Sequence, residues 1–554
     1  MKQVISVLYE LAEQGGGVTR VSLARTAALA VEGCIASVAV LSYDERLEHT
    51  IQNLVVQGRI REDLRVLSFY HWFAHKASCA IAGAEEHEQS TAEHLGVFIK
   101  KQIDRVNGAG FSVNRYLTRS KYVFIEEFIS DENGVEMVVL YQPGGRPLKF
   151  NSLDSVHAYW LKCLSVKSLP SFLLADSIGA ADAICRVEGQ GIYRVLMMHS
   201  NHLAKPHTVG AAIAPKYAGV IRGIEHCDRL VLLTQGQLQD VREQFPSGRY
   251  SVIGNLVTIG ASGVEIKRDP NLAVVVSRLH GVKRIKTIIK SFAKVIARNP
   301  LARLEIWGAG EQEQSIKEFI DSLDVQDSVK LMGFATDVSQ VFMRASVSLG
   351  MSASEGFGIS FAESLGYGVP LVSTKTNYGP QEIVTNGVDG FVVENEEEFI
   401  DKVELLLGDA QLVESMALKG RESALRFTAG PITALWLSLF SELMARPTGR
   451  SVGLAPEGNV IENMVSSKVG WIYLPRVNDD ATINSYRSAK KVHVLSVVSE
   501  RAFVGETVDL LVGAYEVDEM VFDQVKSRYR FRLMKDGVSF RAPIASRVLK
   551  FVLF

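Results

Sequence analysis

From Asn271 onward, apolar and polar positions along the chain repeat one motif. Short β-rich runs at 272–279, 302–308, 328–334, 347–351 and 370–374 alternate with longer helical patterns at 283–297, 311–323, 337–344 and 358–367. Strands separated by helical patterns predict a doubly wound parallel sheet. A similar alternation opens the chain, with strand patterns at 4–11, 36–42, 171–177, 193–199, 229–234 and 251–254 and a helical pattern at 18–32. This second sheet is interrupted. Between about 112 and 150 the runs KYVFIEEFIS and GVEMVVLYQ flank Asp131-Glu132-Asn133-Gly134, and Asn-Gly between β-rich runs signals an antiparallel hairpin. A Pro- and Gly-rich stretch at 446–468 ends the helical run 429–445, and beyond it short strands with Asp536-Gly537 as a hairpin turn predict a small β-sandwich. The fold class read from these patterns is α/β. Two Rossmann-like domains, 1–255 and 256–445, face a cleft; the first carries the β-rich insertion, and residues 469–554 form an accessory β domain.

The length of 554 residues agrees with more than one core, since single cores stop growing near about 250–300 residues. A formal net charge of -2 supplies no global field for a polyanion, so nucleic-acid binding is not expected. The five cysteines, Cys34, Cys79, Cys163, Cys185 and Cys227, are odd in number and lack CxxC spacing, which predicts buried thiols in a reducing compartment. The first residues, MKQVISVLYELAEQGGG, make a poor signal peptide because Glu10 and Glu13 interrupt the apolar stretch. No uninterrupted apolar run reaches the roughly 18 residues of a spanning helix, so the expected location is the cytoplasm, extending to the inner face of the membrane.

Candidate chemistry gathers at predicted strand ends, where open α/β sheets bind ligands. After the strand ending at Met351 comes Glu355-Gly356-Phe357-Gly358-Ile359-Ser360-Phe361-Ala362-Glu363. Its glycines let backbone approach a ligand, its helix start offers free N–H groups, and Glu355 and Glu363 can accept hydrogen bonds from hydroxyls. Arg278 and Lys283 follow the first strand of the same domain, and cations at a helix start imply an anion. In the first domain, Gly15-Gly16-Gly17 opens a helix, and MMHSNH places His199 at a strand end with His202 beyond it. Neither HExxH nor a strand-end DxD is present, so no metal site is expected.

These motifs together resemble the retaining glycosyltransferases of family 4, with their GT-B fold. The residues that carry the likeness are Arg278 and Lys283 in SRLHGVKRIKTIIKSF, Gly308 and Gly310 in WGAGEQ, and Glu355 and Glu363 in an E-x7-E stretch. The segment YGPQEIVTNGVDGFVV is similar to that of the poly(glycerol-phosphate) glucosyltransferases and poly(ribitol-phosphate) N-acetylglucosaminyltransferases. The resemblance implies transfer of a hexose, glucose or N-acetylglucosamine, from a UDP-sugar to an acceptor hydroxyl with retention of configuration, and no cofactor. It implies that Arg278 and Lys283 meet the diphosphate, Glu355 the sugar and Glu363 the ribose, with Gly356, Phe357, Gly358 and Ile359 forming the donor loop. Gly16 and Gly17 would approach the diphosphate from the other side, and His199, in preference to His202, the reacting carbon. The implied acceptor is an anionic polymer, a glycan or a protein, and the insertion would serve acceptor binding or homo-oligomer assembly, or equally be a stability element. A sugar-nucleotide epimerase or phosphorylase, or a non-catalytic partner subunit, stands as the alternative on the same fold. At the C-terminus, Arg528, Arg530 and Arg532 share one face of a strand, which fits either a charge-protected edge or a polyanion or membrane-surface site.

Overall fold

The computed structural model describes residues 1–13, 16–82, 95–106, 111–166, 169–260 and 267–445, with short strands between Val460 and Leu553. The chain divides into two units, Met1–Thr448 and Gly449–Phe554.

The first unit holds two parallel sheets. Strands β1 (Gln3–Leu8), β2 (Ile35–Val40) and β3 (Arg65–Ser68) precede an insertion of five strands, β4 (Lys100–Val106), β5 (Phe111–Leu117), β6 (Val123–Ser130), β7 (Gly134–Leu140) and β8 (Leu148–Phe150). The lobe then resumes with β9 (Ser171–Ala175), β10 (Ile192–Met198), β11 (Arg229–Leu232) and β12 (Tyr250–Val252). Its seven strands run in the order β12-β11-β10-β9-β1-β2-β3, all parallel. The second lobe contains β13 (Leu272–Val276), β14 (Arg303–Trp307), β15 (Val329–Gly333), β16 (Val347–Gly350), β17 (Leu371–Thr374) and β18 (Gly390–Val393). These form a parallel sheet in the order β15-β14-β13-β16-β17-β18. Central strands such as QVISVL are buried along their whole length, as a sheet covered on both faces requires. In each sheet the order reverses beside the first strand, at β1/β9 and β13/β16, and crevices for ligands open at such reversals.

The last helix of the unit, Ala429–Ala445, belongs to the second domain in sequence but packs on the first. Its buried Ile432, Trp436, Leu439, Phe440 and Leu443 form one stripe at helical spacing. Phe440 stacks on Phe172 of β9 at 4.1 Å, and one apolar cluster joins Val4, Leu29, Phe172 and Val195 of the first lobe to Phe357, Phe361 and Leu371 of the second. The two lobes therefore share a core.

Several features differ from the sequence expectation. Strands β3 and β18 are only four residues long and escape a pattern search. The insertion begins at Lys100, not 112, because β4 (KKQIDRV) is a charged edge strand without clean alternation. The insertion is also no appendage: Tyr116, Phe124, Ile125, Val138 and Leu140 are buried in the same cluster as Phe69, Trp160 and Leu173. Its hairpin closes over Asp131, Glu132 and Asn133, with Gly134 at φ 76° opposite Ser130. In the second unit, strand Val460–Met464 lies inside the stretch read as a linker and pairs with Val548–Leu553. Three antiparallel sheets make up its described part. Lys526, Arg528 and the Asp536 turn lie outside the described residues, as do the side chains of Arg530 and Arg532. No helix among the described residues is long and apolar enough to cross a membrane.

Truncating Phe440 tests the shared core. Phe440→Ala should lower unfolding stability by about 3–5 kcal/mol, the range for a buried aromatic, and do so in a single transition that carries both lobes. Two separate denaturation transitions with only the first displaced would show that the lobes do not share it.

Candidate active site

The C-terminal ends of the two sheets face one another across a cleft of about 1500 Å³. From the first lobe come Gly16, Gly17, Arg20, Arg59, His199 and Lys216; from the second, Arg278, Lys283, Glu355, Gly356, Phe357, Gly358, Ile359 and Glu363. Gly15 lies outside the described residues.

Backbone approaches backbone where the lobes meet. A Cβ on Gly356 would sit 2.1 Å from the carbonyl oxygen of His199, so only glycine fits there. Gly308 has the same function within the second lobe: at φ 147° its Cβ would fall 1.8 Å from the carbonyl of Ser277, next to Arg278.

The histidine is held from behind. His199 Nε2 lies 3.0 Å from Oδ1 of Asp176, the residue that follows β9, and the same carboxylate receives both terminal nitrogens of Arg25. Arg25 and Asp176 are 2% and 3% exposed, and Arg25 also lies over the Trp436 ring at 4.9 Å. Burial pushes the Asp176 carboxyl up, but the Arg25 charge and the His199 and Arg25 hydrogen bonds outweigh it and hold it down at about 2. An ionised Asp176 can only accept, so Nε2 of His199 carries a hydrogen. Among the described residues, the buried Nδ1 has no hydrogen-bond partner.

His202 is placed elsewhere. It is fully buried, lies outside the cleft, stacks on Tyr378 at 6.4 Å and comes within 3.4 Å of Gln244 Nε2. Strand β10 stops at Met198, and the turn after it sends His199 toward the cleft and His202 into the protein.

The acids expected to meet a ligand separately are each engaged with a cation. Lys283 Nζ donates to Glu355 Oε1 at 2.5 Å, and Ser352 Oγ donates to the same oxygen at 2.7 Å. Lys283 sits in the turn Gly281–Lys283, which the His280 ring caps at Val282 N, just ahead of helix Ile285–Arg298. Glu355 is 9% exposed and so is less open to the crevice than its loop position suggests. Glu363, in helix Ile359–Gly366, receives Arg20 Nη2 of the opposite lobe at 3.0 Å. Burial raises the Glu363 pKa, and Arg20 only partly offsets this.

Further contacts tie the lobes around the cleft. The Glu382 carboxylate accepts from the backbone N–H groups of Gln235 and Gly236 at 2.8 and 2.7 Å, at the start of helix Gln235–Gln244. Tyr378 Oη donates to Asp240 in that helix at 2.5 Å. A carboxylate at a helix N-terminus meets unpaired N–H groups and a favourable dipole.

Taken together, seven Lys or Arg side chains line the cleft against three carboxylates, Asp337, Glu355 and Glu363. Two of those acids are already ion-paired. Such a cleft suits a polyanion carrying hydroxyl-bearing groups. Sequence reasoning missed Arg20, Asp176 and Lys216. Arg20 in the first turn of helix Gly17–Val31 carried the same signal as Arg278, a cation at a helix start, and Asp176 the signal of a polar residue at a strand end.

Glu363 should be held at a cost in stability. Its folded pKa is raised, so the folded state binds more protons than the unfolded one between the two values, and stability falls as pH rises through that window. Glu363→Gln should therefore flatten the pH dependence of the melting midpoint above the ordinary glutamate range without lowering the midpoint at neutral pH. A large loss of stability in this variant would assign the carboxylate a structural role instead.

Comparison with known proteins agrees with this arrangement. Residues 262–423 match the glycosyl transferases group 1 family. A poly(glycerol-phosphate) alpha-glucosyltransferase of Bacillus subtilis is 25% identical over 321 residues, 53% of this chain, which spans 47% of that relative's length. A poly(ribitol-phosphate) alpha-N-acetylglucosaminyltransferase of Staphylococcus aureus is 20% identical over 80% of this chain and its own full length. Among solved structures, Staphylococcus aureus TarM superposes with a TM-score of 0.64 at 18% identity, covering 79% of this chain and 99% of its own. The pneumococcal O-GlcNAc transferase GtfA, in complex with UDP and GlcNAc, gives 0.59 at 17% identity over 80% of this chain and 99% of its own. The chain thus has the GT-B fold, and residues 262–423 of its second lobe are similar to the group 1 glycosyl transferases.

Proposed function

We propose that the protein transfers a hexose from a UDP-sugar to an acceptor hydroxyl with retention of configuration. The observation that carries this reading is the cleft, where cations in excess of carboxylates, two helix starts and His199 converge between the lobes. The relatives named above are alpha-glycosylating enzymes, and GtfA was crystallised with UDP and a sugar.

On this reading, the sugar–phosphate bond breaks as negative charge builds on the leaving diphosphate. Arg278 and Lys283 stabilise that charge, with the helix starts at Gly17 and Ile359 adding N–H groups already aimed at the cleft. Glu355, fixed by Lys283 and Ser352, accepts hydrogen bonds from the sugar, and Glu363 accepts from the ribose when Arg20 releases it. His199, its ring held by the bond from Nε2 to Asp176, faces the sugar near its reacting carbon. No carboxylate is assigned as a nucleophile, so the acceptor hydroxyl attacks the face that the diphosphate leaves, with the departing phosphate oxygen receiving its proton. The reaction needs no metal. The acceptor belongs to the class named for the relatives, an anionic cell-envelope polymer, a glycan or a protein, and the β4–β8 sheet serves acceptor binding or assembly. All five thiols are free, and although only Cys34 and Cys227 are buried, with Cys79 and Cys185 half-buried and Cys163 exposed, they fit work in the reducing cytoplasm, at the inner face of the membrane.

UDP-glucose or UDP-N-acetylglucosamine should raise the melting midpoint, by mass action on the folded state, and the shift should survive EDTA. No shift with any nucleotide sugar at millimolar concentration would remove the reading. Lys283→Ala should lower turnover on the order of 10²- to 10³-fold, as for loss of a preorganised charge stabiliser. It should also lower the melting midpoint, because a largely buried Glu355 is left without its cation. Adding Glu355→Gln should then restore the midpoint but not turnover. Restored turnover in the double variant would mean that Lys283 serves only to neutralise Glu355.

A further inference from the structure

The cation set in the cleft is larger than the second lobe alone supplies. Lys283 has its charge matched by Glu355 at 2.5 Å. Among the described residues, Arg278 and Lys216 have no carboxylate within ion-pair distance, although both line the cleft and come from opposite lobes. Arg278 extends across to the first lobe, where a Cβ added to Gly16 would lie 3.9 Å from its Cδ. Gly16 precedes helix Gly17–Val31, which has no side-chain cap and no acid in its first turn.

Lys216 is held firmly on its own side. It sits in the short turn Pro215–Tyr217, whose Tyr217 is 1% exposed, and its Nζ lies over the Tyr217 ring at 5.2 Å. Ala214, just before it, donates from its backbone N–H to the carbonyl of His202 at 2.8 Å. Desolvation within the cleft and the neighbouring Arg278 charge both push Lys216 below the ordinary lysine value. Two cations lining one cleft, with no carboxylate at ion-pair distance among the described residues, are unfavourable unless an anion joins them.

Building on the transferase reading, we infer that Lys216 is a diphosphate ligand contributed by the first lobe. With Arg278 it closes a two-sided clamp on the donor's phosphates, so that both lobes hold the leaving group. The phosphates would lie among Arg278, Lys216, Lys283 and the N–H groups at Gly16 and Gly17, with Lys283 also holding Glu355 on the sugar side.

The test compares wild type with Lys216→Gln and Lys216→Arg by titration calorimetry against UDP and UMP, with melting midpoints as the check on folding. Lys216 is exposed in the cleft, so neither substitution should move the midpoint. The inference expects Lys216→Gln to bind UDP on the order of ten-fold more weakly, with UMP affected less, and Lys216→Arg to recover most of the loss. UDP affinity unchanged in Lys216→Gln while the acceptor KM rises would overturn it and assign Lys216 to the acceptor. Equal losses for UDP and UMP would likewise overturn it, since the second phosphate would then be irrelevant. Failure of the wild-type protein to bind UDP would instead sink the transferase reading itself.

Discussion

No side chain fits between Gly356 and the carbonyl of His199, and the rest of the cleft is organised around that contact between lobes. On one side it sets His199, whose ring is fixed by Asp176 and Arg25. On the other it sets Glu355, the preceding residue, fixed by Lys283 and Ser352. Side chains from two separate sheets can be aligned to fractions of an ångström only if the sheets meet at a point that does not yield, and backbone against backbone is such a point. The contacts farther out, Arg20 on Glu363, Glu382 on the start of helix Gln235–Gln244 and Tyr378 on Asp240, keep the lobes in the same relation.

Charge in this cleft is arranged in two layers. Behind it, Arg25 and Asp176 neutralise each other in an almost fully buried pair, which adds little net stability but fixes the histidine ring. Facing it, Glu355 and Glu363 are each paired with a cation, and the lining as a whole carries more Lys and Arg than carboxylates. A diphosphate entering such a site finds its counter-charges already in position. Little reorganisation is left for the moment when the bond breaks, and that is the main source of catalysis in sites of this kind.

Both parallel sheets could be read from the sequence because their strands are continuous apolar runs punctuated by helical periods. That Arg278, Lys283, Glu355 and Glu363 would line a cleft could be read because each lies next to a strand end or helix start in its own segment. The pairings could not. Arg20 and Glu363 are 343 residues apart in the chain, and Arg25 and Asp176 are 151 apart, so no local pattern links them. The choice between His199 and His202 depends on how the chain turns after β10, which three residues of sequence do not encode. The return of helix Ala429–Ala445 to the first lobe was hidden for a related reason: its apolar stripe shows that it is buried but not on which sheet.

The central claim is that the cleft is built around the diphosphate of a nucleotide sugar. Calorimetric affinities for uridine, UMP and UDP, measured with the unmodified protein at two salt concentrations, test it most directly. The account predicts that the largest gain in affinity comes with the second phosphate and that this gain shrinks at higher salt, since the cations that bind it face solvent. Equal affinities for the three ligands, or a gain indifferent to salt, would contradict it.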